Sequence, residues 1–120
     1  MPVLSSFTQD IMFAAGHQLD GHGACGKLHG HSYTVSLTFT GVPNRNNFGY
    51  PFEQDNLLKA TAIVLELQNR FLPDMLPAGF PSVSGVAAYL MERTQILGVS
   101  KVEVHESDTN VTGTAEYIDR

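Results

Sequence analysis

Two histidines one residue apart, His29 and His31, stand in the run Cys25-Gly26-Lys27-Leu28-His29-Gly30-His31-Ser32-Tyr33. On a β-strand alternate residues share a face, so both imidazoles would point the same way. A third, His17, lies upstream in Phe13-Ala14-Ala15-Gly16-His17. Gly30 between the pair permits a close backbone approach. Three imidazoles that leave one coordination position open are the donor set of a catalytic zinc, although imidazole also suits iron, nickel and copper. Cys25 adds a thiol four residues before the pair. Positive charge from Lys27 and from a nearby metal would favour its thiolate and make it a nucleophile or a base. Together these residues predict an enzyme site.

The elements that must position them follow from hydrophobic periodicity. About residues 5–19 read as a strand, with apolar and polar side chains alternating, and Asp20 to Gly26 as a glycine-rich loop. Alternation resumes over about residues 29–40, and Gly41 to Asn47 reads as a turn or loop. A helix is expected over roughly residues 53–71, where Leu57, Ala60, Val64, Leu67 and Phe71 form one stripe that Pro73 and Pro77 end. Pro81-Ser82-Val83-Ser84 opens a second helix, with a serine as cap and Val86, Ala87, Leu90 and Met91 on its apolar face. Val102, Val104 and Glu106 alternate in a third strand, Ser107 to Asn110 make a turn, and Val111 to Ile118 return as a fourth. The order is ββααββ, which favours an α+β domain with helices on one face of an antiparallel sheet.

Bulk composition narrows the function classes. The 120 residues are 42% hydrophobic, enough for one core, and read as a single domain over 1–120. A net charge of −5 argues against generic nucleic-acid binding. No apolar run is long enough to span a membrane, and the first ten residues lack the pattern of a signal peptide. One cysteine excludes an internal disulfide framework and fits a reducing cytoplasm. Charged residues make up only 16%, which leaves room for a subunit interface.

The runs Phe13 to His17 and Cys25 to Tyr33 resemble the metal and cysteine motifs of the 6-pyruvoyl-tetrahydropterin synthases. The three residues between Cys25 and His29 resemble the bacterial branch, the 6-carboxy-tetrahydropterin synthases of queuosine biosynthesis. Val102-Glu103-Val104-His105-Glu106-Ser107 resembles the family's strand ending in Glu-Thr. The resemblance implies a tunnelling fold: a four-stranded antiparallel sheet with two helices on one face. Three such subunits close their sheets into a barrel and two trimers stack, so the chain is expected to be a homo-oligomer, trimer or hexamer. It also implies a pterin substrate, 7,8-dihydroneopterin triphosphate, and zinc held by His17, His29 and His31. Cys25 would move the side-chain proton, and Glu106 would bind the pterin ring by a charge-assisted pair of hydrogen bonds. Lys27 is a plausible phosphate contact, and Ser82 keeps a hydroxyl where the family has threonine.

Two departures stand out against that pattern. The family's Leu-Asp-His-x-x-Leu-Asn is replaced by Leu67-Gln68-Asn69-Arg70-Phe71-Leu72-Pro73-Asp74, so the Asp-His pair is absent. The family's Pro-Thr-x-Glu becomes Pro81-Ser82-Val83-Ser84. The only histidines are His17, His22, His29, His31 and His105. His22, His105 or a zinc-bound water could take over the relay, with His105 expected on the face opposite Glu106. Other subunits could supply Arg45, Arg70 or Lys101 to the phosphates. The expectation is a zinc-dependent 6-carboxy-tetrahydropterin synthase-like lyase with an altered proton relay. A paralogous pterin lyase or synthase with a different product, and a non-catalytic pterin- or metal-binding homologue, stand as alternatives.

Overall fold

The computed structural model describes residues 3–17, 29–76 and 82–117, with the backbone alone at 17 and 29. Four strands, β1 (Ser5–His17), β2 (His29–Gly41), β3 (Val99–Glu106) and β4 (Val111–Glu116), form one antiparallel sheet in the order β1-β2-β3-β4. Between β2 and β3 the chain makes α1 (Gln54–Leu65), a single turn α2 (Leu72–Met75) and α3 (Val83–Thr94). Short 3-10 turns occupy Arg45–Asn47 and Gln95–Leu97.

Period-two alternation sorts the strand side chains. Ile11, Phe13 and Ala15 of β1, Tyr33, Val35, Leu37 and Phe39 of β2, and Val99, Val102 and Val104 of β3 are buried. Against them pack Ala60 and Val64 of α1 and Val86, Ala87, Leu90 and Met91 of α3. The other face of the sheet carries hydroxyls that pair across the strands. Ser6 meets Thr40 at 3.1 Å, Thr8 meets Thr38 at 3.0 Å, and the Ser36 hydroxyl donates to Asp10 at 2.6 Å. One irregularity interrupts the ladder at Thr38/Phe39, where the Ser100 hydroxyl donates to the Thr38 carbonyl. Among the described residues no helix is long and apolar enough to cross a membrane.

The first helix is shorter than its apolar stripe predicts. It ends at Leu65, and Glu66, just beyond it, accepts a hydrogen bond from each terminal guanidinium nitrogen of Arg93 on α3 at 3.1 Å. That carboxylate holds the Arg93 guanidinium above its ordinary pKa, chiefly through the hydrogen bond. Leu67 and Gln68 then close tighter turns onto Val64 and Leu65, and Asn69 adopts φ 59°, a left-handed conformation that asparagine tolerates better than most residues. Leu67 stays buried, so the stripe still serves the core although the backbone beneath it has stopped being helical. Pro73 is placed in the first turn of α2, where a missing N–H costs nothing. β1 is described to His17, and its expected continuation to Leu19 lies outside the described residues; β4 ends at Glu116, before Tyr117, and Ile118 lies outside them.

The start of α3 lies directly on β4. A Cβ added to Gly113 would run into the backbone of Val83 and Ser84, and neither can retreat without lifting the helix. Gly113→Ala should therefore lower the unfolding free energy by about 1–3 kcal/mol in urea denaturation. Thr114→Ala, on the helix-free face, should stay within about 0.5 kcal/mol of wild type.

Candidate functional site

The β1–β2 register pairs Ala15 with His31, Gly16 with Gly30 and His17 with His29. Directly opposed residues of an antiparallel pair lie about 4.5–5.5 Å apart, and residues two apart on a strand about 7 Å. Positions 17, 29 and 31 therefore share the helix-covered face at one end of the sheet. The His31 ring is described in full. Its side chain is 8% exposed, with Nε2 at 3.3 Å from Glu106 Oε1 and Nδ1 at 2.8 Å from Asp108 Oδ2.

Glu106 reaches this point because β3 pairs it with Tyr33, which gives its side chain the same inward direction. The residue is 3% exposed. Thr109 in the following turn donates its hydroxyl to Glu106 Oε1 at 2.7 Å. The His31 ring is a donor that suits a metal cation, and the two further positions for imidazole lie within one strand repeat. Among the described residues no group of three or more metal-binding side chains forms; the side chains of His17 and His29 are not among them.

A cleft of about 610 Å³ opens here, lined by His31, Ser32 and Gly30 of β2, Ala14 to Gly16 of β1, Asp108, and Asn69, Arg70 and Phe71. The last three arrive because the chain after α1 docks along the outer edge of β1. Asn69 N–H donates to the Ala14 carbonyl at 2.7 Å, Gly16 N–H to the Arg70 carbonyl at 2.9 Å, and Ala14 N–H to Gln68 Oε1 at 3.0 Å. Gln68 and Asn69, at the positions of the missing Asp-His pair, thus complete an edge strand, and Asn69 also lines the cleft.

The structure brings His31 and Glu106 together and sets positions 17 and 29 beside them. Ser82 stands elsewhere: it is the N-cap of α3, its hydroxyl accepting from Gly85 N–H at 3.1 Å, and it is not among the residues lining the cleft. Cys25, Lys27 and His22 lie outside the described residues. His105 Nδ1 pairs with Thr112 Oγ1 at 2.9 Å on the face opposite Glu106. Of the basic residues, Arg70 lines the cleft of its own chain. Arg45 follows the far end of β2. Lys101 is engaged by Glu103 at 2.9 Å, and this hydrogen bond raises its pKa above the ordinary value. Sequence reasoning missed Asp108 as a neighbour of His31; nothing in the run Ser107 to Asn110 distinguishes it from an ordinary turn aspartate.

The sequence profile of the family described as 6-pyruvoyl tetrahydropterin synthase matches residues 6–116. The chain belongs to that family. It is similar to a Caenorhabditis elegans 6-pyruvoyl tetrahydropterin synthase structure with a TM-score of 0.82 and 19% identity, covering 98% of each chain. A Plasmodium falciparum 6-pyruvoyl tetrahydropterin synthase superposes with a TM-score of 0.69 at 18% identity, over 96% of this chain and 99% of that one. These likenesses show the tunnelling fold. A putative 6-carboxy-5,6,7,8-tetrahydropterin synthase of Archaeoglobus fulgidus is 38% identical over 40 residues, which span 33% of this chain and 35% of the relative.

The cap geometry gives Ser82 a structural role that can be measured. Ser82→Ala should lower stability by about 1 kcal/mol and Ser82→Gly by only a few tenths, read from denaturant midpoints at constant slope.

Proposed function

We propose that this family member is a zinc-dependent 6-carboxy-tetrahydropterin synthase-like lyase acting on 7,8-dihydroneopterin triphosphate, with an altered proton relay. The observation that carries the reading is the buried Glu106 carboxylate turned inward against His31, at the strand end where positions 17 and 29 also lie. A ring-binding carboxylate and a metal-binding imidazole set belong in one site if a pterin's side chain is to be worked on while its ring is held.

His17, His29 and His31 would hold the metal. When bound, zinc supplies Lewis-acid stabilisation of negative charge developing on the substrate's side-chain oxygens. Glu106 accepts hydrogen bonds from a ring N–H and the amino group, and Thr109, which donates to the same carboxylate, fixes its plane. Cys25 takes the proton from the side-chain carbon next to the developing charge. Triphosphate elimination follows, with acetaldehyde also lost in the carboxy-forming branch. Arg70 lines the cleft and would meet the phosphates, with Lys27 as a second contact.

The relay is where this chain differs. Gln68 uses its side-chain oxygen on Ala14 N–H, and the carboxamides of Gln68 and Asn69 have no group that gains or loses a proton near neutral pH. A positioned general acid or base contributes about 10²–10⁴ in rate, so a chain without the pair can keep binding and lose speed. We further propose a homo-oligomer: β1 and β4 are the outer strands of the sheet, and much of the edge of β1 lies beyond the stretch that residues 68–71 cover.

Zinc-loaded wild type and Cys25→Ala, incubated with dihydroneopterin triphosphate and read by mass spectrometry, test this directly. Wild type should form a carboxy- or pyruvoyl-tetrahydropterin, with turnover lower by about 10²-fold or more in Cys25→Ala and zinc retained in both. Zinc and pterin bound without conversion would reject the synthase in favour of a binding role. A different product would mark a paralogous pterin lyase.

A further inference from the structure

The least expected neighbour of His31 is Asp108. Its carboxylate is 58% exposed, yet it meets Nδ1 of a ring only 8% exposed, at 2.8 Å. An exposed carboxylate usually contributes little to an ion pair, and its side chain is free to choose among many rotamers. Here the backbone beneath it is held. Ser107 N–H and the Ser107 hydroxyl both donate to the Ser32 carbonyl at 3.0 Å, next to His31 on β2. Asn110 N–H donates to the Glu106 carbonyl at 2.9 Å, and Asn110 closes the turn at φ 56°. Thr109 donates to the Glu106 carboxylate. The turn between β3 and β4 is thus pinned at both ends, with Asp108 at its apex aimed at the ring.

We propose that Asp108 is the positioning residue of His31. Its carboxylate takes the Nδ1–H, which fixes the ring's tautomer and plane and leaves Nε2 as the nitrogen that faces Glu106 and would meet the metal. An imidazole whose second nitrogen donates to a carboxylate is held in one orientation and is a more basic ligand. The inference rests on the reading of His31 as a metal ligand and adds a residue of this chain to it.

The test is metal affinity of the full chain, independent of turnover. Zinc is titrated against a chromophoric chelator for wild type, Asp108→Ala, Asp108→Asn and His31→Ala, and the visible spectrum of bound cobalt(II) is recorded for each. Asp108→Ala should weaken zinc by about 10–100-fold and alter the cobalt spectrum. Asp108→Asn should fall between it and wild type, because an amide oxygen still accepts the Nδ1–H but carries no charge. The metal-free variants should melt close to wild type, since the carboxylate is largely in solvent; if Asp108→Ala fails to fold, Asp108→Asn decides. Affinity that depends on His31 but is unchanged at Asp108, with an unchanged cobalt spectrum, overturns the inference and leaves the metal reading standing. Wild type binding zinc no better than His31→Ala overturns both.

Discussion

The pairing of β1 with β2 is the constraint on which the rest depends. Each strand is thirteen residues long, and the register runs without a shift from Ser5 opposite Gly41 to His17 opposite His29. A slip of one residue would send Tyr33, Val35, Leu37 and Phe39 to the solvent face and His31 with them. Because that apolar row is packed under α1 and α3, such a slip would expose the largest side chains of the core. The position of one polar ring at the end of the row is therefore set by hydrophobic packing along its whole length.

Closure of the β1 edge follows from the same pairing. β2 occupies one side of β1, and the other side is left with N–H and C=O groups that need partners. Near the cleft, Gln68, Asn69 and Arg70 provide them at Ala14 and Gly16. Those bonds require the chain to leave the helical path after Leu65, and they bring Arg70 and Phe71 to the cleft wall.

The sequence disclosed the fold to the extent that side-chain alternation and capping chemistry express it. Tyr33, Val35, Leu37 and Phe39 read as a strand face because period two is local, and a serine of the run Ser82 to Ser84 reads as a cap because a cap's oxygen bonds two or three residues ahead; the structure gives that part to Ser82. The end of α1 was not legible. Leu67 and Phe71 keep helical spacing, but the hydrogen bonds that unwind the chain come from a strand more than fifty residues earlier. Within the candidate site, the opposite facing of Glu106 and His105 followed from alternation. Asp108 did not, since a turn aspartate is explained by local geometry alone and its meeting with His31 spans 77 residues of sequence.

The turn from Ser107 to Asn110 touches the site at three points: Ser107 on the backbone beside His31, Asp108 on the His31 ring, and Thr109 on Glu106. Adding or deleting a residue there would shift the partners of both side chains at once. The length of this hairpin is therefore coupled to both side chains: a change in it has to re-form the surroundings of the imidazole and of the carboxylate in a single step.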